Sequence, residues 1–379
     1  MRQNINSHSG TALSAVVFAS LTSSIALTAG PVRAAAVAAQ PAHNFVNSVG
    51  LGTYFGWNDS PYRTRYSEVK TKLAELGVRH IRDSVSGPGS ASVFKNLYST
   101  LGVRLLATVD LRTGEGARQR LDPSQIKGHI DYIRTELGTA PLIGVEGPNE
   151  ANLLERIYGY KGWPTDLRRF QEKLFSTVRA DSAFAGKKVV QPSLAGPNSK
   201  FYYARMGDYS RISDVGNLHI YSNWLPWEHG AKREIESARH TMPGRPFWTT
   251  ETGFHSAMNS GAQYLNRFTM LRYLPRALLG FGSYPGIRRS YLFQMVDFGP
   301  DPHKTNFSFN YGLIDYYGHV KPGFYAVRNM MHVLCDDPLR SAPGALRYAL
   351  SGNLTDVRSL LYKKNNGAFY LVMWLEKPG

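Results

Sequence analysis

Short apolar runs alternate along this chain with longer stretches of helical periodicity, from about residue 50 to about residue 334. Apolar runs of four to eight residues read as buried strands, and amphipathic stretches of ten or more as helices. The strand expectations are residues 50–55, 79–84, 104–110, 142–146, 188–192, 215–221, 246–250 and 289–296. Helix-like stretches at 66–76, 93–101, 124–137, 167–182 and 261–279 fall between them, and 324–334 follows the last strand. Gly77 stands where a left-handed cap would end the first helix, and Asp122-Pro123 where the third would begin. Strands separated in turn by helical or long-loop segments predict a parallel sheet. Eight such units predict an α/β chain closed into a (β/α)8 TIM barrel over residues 45–338. Beyond Pro343 the pattern turns β-rich at 356–363 and 368–375, joined by the hairpin signal Asn365-Asn366-Gly367. A small C-terminal β appendage, 343–379, is expected, with room for about three strands, too few for a complete sandwich.

The first residues read differently. Arg2 precedes an uncharged, largely apolar run over 12–27, and small residues surround Val32-Arg33-Ala34. This is the order of an export signal, so residues 1–36 are expected to be a signal peptide and the protein secreted or periplasmic. The run is shorter than the roughly 20 residues that span a bilayer, and Ser and Thr interrupt it, so no stable membrane insertion is expected.

With 42% hydrophobic, 12% aromatic and 19% charged residues, the chain can bury a large core, which excludes a disordered protein. Its single cysteine, Cys335, excludes a disulfide framework or a cysteine-rich metal site. The net charge of +16 favours a polyanionic partner by long-range attraction. The basic residues are scattered, however. Their densest group, 161–169, is diluted by Gly162, Trp163 and Pro164, and no zinc-finger or helix-turn-helix spacing occurs, so no nucleic-acid partner is expected.

In a (β/α)8 barrel the chemistry sits at the C-terminal strand ends, so polar residues just after the strand runs carry most weight. Glu150 closes Gly147-Pro148-Asn149-Glu150 after the fourth strand, and Glu251 lies in Thr249-Thr250-Glu251-Thr252-Gly253 at the end of the seventh. Two carboxyls facing each other across a barrel mouth suit glycosidic bond cleavage, which needs one protonated and one ionised at the same pH. Arg82 and the Tyr221 hydroxyl near Glu251 would favour its anion. Burial and the charge of Glu251 would raise the pKa of Glu150. Aromatic residues crowd the same strand ends: Tyr54, Phe55, Trp57, Trp163, Trp224, Trp227 and Phe254. Of these, Trp57, Trp163 and Trp224 are expected to stack on sugar CH faces. Glu146, inside the fourth strand, is expected as a buried partner of the site. Asp297, Asp301 and His303 read as a solvated acidic loop. No metal or cofactor is expected. His219, His229, His240 and His255 lack zincin spacing, and no nucleophile elbow, P-loop or dinucleotide fingerprint occurs.

Asn149-Glu150 after the fourth strand and Glu251 on the seventh resemble the acid/base and nucleophile signatures of clan A glycoside hydrolases. That clan includes the cellulase-like family five and the xylosidase-like family thirty-nine, and the resemblance covers about residues 49–334. It implies a retaining, double-displacement mechanism with Glu150 as proton donor and Glu251 as nucleophile. It further implies that Arg82 steadies the nucleophile, that His219 and Tyr221 flank it from strand six, and that Asn149 binds the sugar 2-hydroxyl. Clan members often carry a histidine on strand three and a tryptophan at the end of strand eight, where this chain has Asp110 and either Gln294 or Asp297. The expectation is an exported glycosidase cleaving O-glycosidic bonds in a polysaccharide or oligosaccharide, with the basic charge favouring an acidic polysaccharide. The alternatives are a non-catalytic carbohydrate-binding barrel with the same groove, and a transglycosylase using the same residues.

Overall fold

The computed structural model describes residues 3–6, 12–17, 26–28, 35–87, 89–196, 199–222, 225–258 and 267–377. Eight parallel strands form one sheet: β1 (Val49–Gly52), β2 (His80–Ser84), β3 (Arg104–Thr108), β4 (Leu142–Glu146), β5 (Lys188–Val190), β6 (Gly216–His219), β7 (Phe247–Thr252) and β8 (Ile287–Leu292). The sheet curls until β5 meets β6, where Val190 bridges Val215 and the Gln191 N–H donates to the Val215 carbonyl at 2.9 Å. That seam makes it a closed barrel.

A packing helix follows each strand: α1 (Tyr66–Leu76), α2 (Ser90–Leu101), α3 (Ile126–Tyr132), α4 (Trp163–Ala180), α5 (Ser199–Met206), α6 (Trp227–Ala238), α7 (Arg267–Ser283) and α8 (Pro322–Leu334), with short extra helices at Pro61–Thr64 and Leu153–Tyr158. Gly77 ends α1 in the left-handed conformation, φ 71°, as its sequence position predicted. Asp122 caps the turn before α3 by accepting from the Ser124 N–H. The helix expected over 124–137 is broken into a 3-10 turn, α3 and a π-helical turn, Ile133–Leu137.

The main core lies between barrel and helices, where the apolar faces of α1, α2, α4 and α8 meet the outer faces of the strands. A second cluster gathers Leu106, Val190, Val215, Trp248 and Tyr291 from strands around the ring, which can meet only in the barrel interior.

The appendage is a hairpin, β9 (Val357–Lys363) and β10 (Phe369–Leu375), in full antiparallel register from Val357↔Leu375 to Lys363↔Phe369. Its sheet is larger than the C-terminal residues alone allow, because segments from the beginning of the chain join it. Gln40–Pro41 pairs with β9, and Ala12–Val17 runs parallel to β10 with Gln3–Asn6 beside it. Short strands at Ala345–Arg347 and Ala349–Ser351 pair with Ala36–Ala38 and Ala26–Thr28. The hairpin is fastened to the barrel. Arg358 makes a two-pronged ion pair with Glu228 on α6 at 2.7 Å, and Tyr362, Val372 and Trp374 enter the main core.

Candidate active site

At the C-terminal mouth of the barrel, β7 carries one extra residue relative to both neighbours. Its register slips against β6 between Leu218 and His219 and against β8 between Thr249 and Thr252. A bulge of this kind re-aims a side chain at a strand end. Here the residue at the irregularity is Glu251.

After β4 the chain turns sharply through Gly147, whose absent side chain leaves room for Gln171 and Pro192; an added Cβ would lie 2.2 Å from the Gln171 amide oxygen. Three residues later Glu150 adopts φ 47°, a left-handed conformation that costs a non-glycine residue free energy and clusters at functional sites. Ser193, just beyond β5, holds it there. The Glu150 N–H donates to Ser193 Oγ at 3.0 Å, and the Ser193 N–H donates to the Pro148 carbonyl at 3.3 Å.

Four of the five N–H donors of Arg82, at the mouth of β2, are spent on the site. Nε and Nη2 donate to the two oxygens of Glu146 at 2.8 and 2.7 Å, Nη1 to Glu251 Oε1 at 2.7 Å, and Nη2 also to Asn149 Oδ1 at 2.7 Å. Glu146 is fully buried and also accepts from Asn217 and Thr250, so it fixes the guanidinium in place. The other oxygen of Glu251 accepts from the Tyr221 hydroxyl at 2.7 Å. Two directed donors, one on each oxygen, fix the rotamer of this carboxylate.

His219, at the end of β6, stands between the two glutamates. Its Nδ1 is 2.9 Å from Glu150 Oε1 and 3.5 Å from Glu251 Oε2, while Nε2 lies 3.1 Å from Thr250 Oγ1. Burial pushes the Glu150 carboxyl up, but the hydrogen bond and charge of His219, with the charges of Arg82 and Arg156, outweigh it and hold the group below the ordinary range. This reverses the expectation that Glu150 would be raised, because the His219 hydrogen bond and the charges of His219, Arg82 and Arg156 together count for more than the loss of water around it. One donor atom each from Glu150, His219 and Glu251 lie within 4.8 Å of one another, the tightest set of potential cation ligands among the described residues. Arg82 and Tyr221 already donate hydrogen bonds to Glu251 in that set.

A cavity of about 500 Å³ opens beside Glu251, lined by Arg82 and Asn149 on one side and by Tyr54, Trp57, Phe293 and Phe298 on the other. Trp57 is 48% exposed and tilts against Phe298, with ring centres 5.4 Å apart. The other tryptophan expectations divide. Trp163 is wholly buried at the start of α4, where its indole N–H donates to Glu155 at 2.8 Å and its ring packs on Tyr202. It is a core anchor and does not reach the cavity. Trp224 lies outside the described residues. Trp227 and Phe254 pack into the core between helices. Asp297 is no solvated loop acid: it is buried against Lys321 at 2.7 Å, and burial raises it to about 6 despite that partner.

Of the cavity-wall residues that escaped the sequence reading, two matter most. Phe293, immediately after β8, supplies the aromatic surface at the strand end where Gln294 or Asp297 was considered. Asp83, immediately after Arg82, accepts from Thr53 Oγ1, the Phe55 and Gly56 N–H groups and the Ser84 N–H. It thereby anchors the loop that carries Tyr54 and Trp57. Burial pushes Asp83 up to about 7. An acidic residue flanked by a strand end and followed by hydroxyls is the only signal that could have marked it.

No family model matches the chain, and no curated protein matches it. Solved structures do. A family 39 glycoside hydrolase of the gut symbiont Bacteroides cellulosilyticus superposes with a TM-score of 0.60 at 15% identity, over 88% of this chain and 72% of that one. The chain shares the (β/α)8 fold of the clan A glycoside hydrolases. A family 2 β-galacturonidase of Eisenbergiella tayi gives a TM-score of 0.56 at 16% identity over 76% of this chain and 51% of the other, so the chain spans about half that protein's length. A β-1,3-glucanosyltransferase of Rhizomucor miehei gives 0.53 at 15% identity, over 73% of this chain and 96% of that one.

Proposed function

We propose that this protein is a retaining glycoside hydrolase acting on O-glycosidic bonds of a polysaccharide or oligosaccharide, with Glu251 as nucleophile and Glu150 as proton donor. The observation that carries the reading is the closeness of the two carboxylates, whose nearest oxygens fall within 4.8 Å with His219 between them. Retaining enzymes place their carboxyls about 5–5.5 Å apart, whereas inverting ones leave about 6.5–9.5 Å for a water. Arg82 and Tyr221 hydrogen-bond both oxygens of Glu251 and keep it aimed, as a nucleophile needs. Glu150 enters the reaction protonated; bound substrate, by displacing water and contacts at the mouth, supports that form.

Proton NMR of the first product tests the mechanism. The anomer formed first should match the substrate's configuration, and an initially opposite anomer would replace double displacement by single-step inversion. The glucanosyltransferase likeness keeps transfer to a second sugar as a variant of the same chemistry, favoured when an acceptor outcompetes water at the glycosyl-enzyme.

We further propose that the protein is exported and that residues 1–36 are its signal. Protein recovered outside the cytoplasm should begin between about residues 35 and 40 on N-terminal sequencing. An intact Met1 would reject removal of the segment, and would leave Ala12–Val17 as the strand bordering β10. The basic net charge supports attraction to an acidic polysaccharide at long range, an effect that salt screens.

A further inference from the structure

We infer that the cavity beside Glu251 receives an uncharged glycosyl unit and rejects a uronate at the cleaved position. The inference rests on the glycosidase reading and names its substrate class.

Its basis is the charge around the cavity. The only cationic side chain among the described residues lining it is Arg82. Its charge is shared between two carboxylates, Glu146 and Glu251, so this group carries a net negative charge. Asp110 also lines the cavity, and its charge is met by Arg112, whose Nε and Nη2 grip both oxygens at 2.8 and 2.9 Å. His129 lines the wall as a partly buried ring whose charged form burial disfavours. Asp83 offers no cation, and both its oxygens are occupied by protein donors.

A sugar carboxylate placed here would meet an unbalanced negative charge and, among the described lining residues, no free cation. A neutral ring meets what it needs. Asn149 gives its Oδ1 to Arg82, leaving its amide N–H groups for a hydroxyl, and Ser84 and Ser86 add hydroxyls on the same wall. The aromatic rings of Tyr54, Trp57 and Phe293 offer faces to ring C–H groups. The chain's net charge of +16 acts at a distance, whereas selection at the cleaved bond is decided at contact.

The test uses the intact protein and chromogenic glycosides in pairs that differ only at carbon 6: glucoside against glucuronide, and galactoside against galacturonide, in both anomeric forms. A full negative charge roughly 7 Å from the site's surplus, at an effective dielectric of roughly 20, implies that the neutral member is favoured in kcat/KM by about 50-fold or more. Equal or faster turnover of a uronide would overturn the inference while leaving the glycosidase reading intact. Should no glycoside be cleaved, binding to an array of neutral and uronate-bearing oligosaccharides decides. Neutral glycans bound without cleavage would keep the inference and remove the hydrolase; acidic glycans bound in preference would remove the inference; no glycan bound would remove both. A second variant tests the cause. Asp110→Asn frees the Arg112 cation beside the cavity and should raise the uronide-to-neutral ratio by about tenfold. An unchanged ratio in the folded variant would show that charge is not what selects.

Discussion

Glu251→Ala is expected to lose on the order of 10⁴-fold or more in kcat and to recover activity on an activated glycoside when azide is added. Truncation removes the attacking carboxylate and leaves a small pocket between the Arg82 guanidinium and the Tyr221 hydroxyl, both of which donated to it. An azide anion suits that pocket and attacks the anomeric carbon directly, so one displacement gives a product of inverted configuration. Glu150→Ala should differ. Its nucleophile remains, a good leaving group departs without a proton, and azide then replaces water in the second step, giving a retained product. The pH profile separates the two roles as well. Glu150 acts in its protonated form, and His219 holds its pKa below the ordinary range, so kcat/KM of the intact protein should fall on the acid side of neutrality as Glu150 ionises. That descending limb should vanish in Glu150→Ala. A retained azide product from Glu251→Ala, or near-normal hydrolysis by either folded variant, would overturn the assignment.

Replacing Arg82 should have the next largest effect, on both stability and rate. Arg82→Met leaves Glu146 without its cation inside the barrel, where that carboxylate is fully buried. Breaking a buried pair from one side costs about 3–5 kcal/mol, and here a second carboxylate, Glu251, loses the same partner. At about 2–4 °C per kcal/mol for a domain somewhat smaller than this one, the melting temperature should drop by roughly 10 °C, read by calorimetry. Because Arg82→Met risks not folding, Arg82→Lys is the informative companion. Lysine keeps the charge but cannot grip Glu146 with two donors and still reach Glu251 and Asn149. It should fold and lose about 10²-fold or more in kcat, since a misplaced nucleophile is costly. A folded Arg82→Lys protein with undiminished kcat would show that the four-way contact is structural alone.

The barrel was legible in the linear pattern because its signals are local. Apolar runs recur where β1 to β8 lie, and their ends predicted that Glu150 and Glu251 would share one rim. Arg82, His219 and Tyr221 lie within expected strands, but it was the resemblance to clan A glycoside hydrolases that singled them out. The pattern also showed that the β9–β10 hairpin is joined by Asn365-Asn366-Gly367, but not that strands from the beginning of the chain complete its sheet, since strand pairing depends on contacts hundreds of residues apart.

Tertiary packing decided the rest. An aromatic residue after a strand looks the same whether its ring turns inward or outward: Trp57 faces the cavity, while Trp163, equally apolar, is pinned by Glu155 under α4. The pKa direction of Glu150 depended on where His219 points, because its hydrogen bond at 2.9 Å, added to the charges of His219, Arg82 and Arg156, overcomes burial, and no spacing rule encodes a side-chain rotamer. Phe293 and Asp83 belong to the site because the closing barrel carries β8 beside β1 and folds the 53–57 loop over Asp83. Sequence periodicity records which face of an element is buried. Which groups meet at the mouth is a property of the closed ring, since the strands that supply them are distant along the chain and adjacent only after closure.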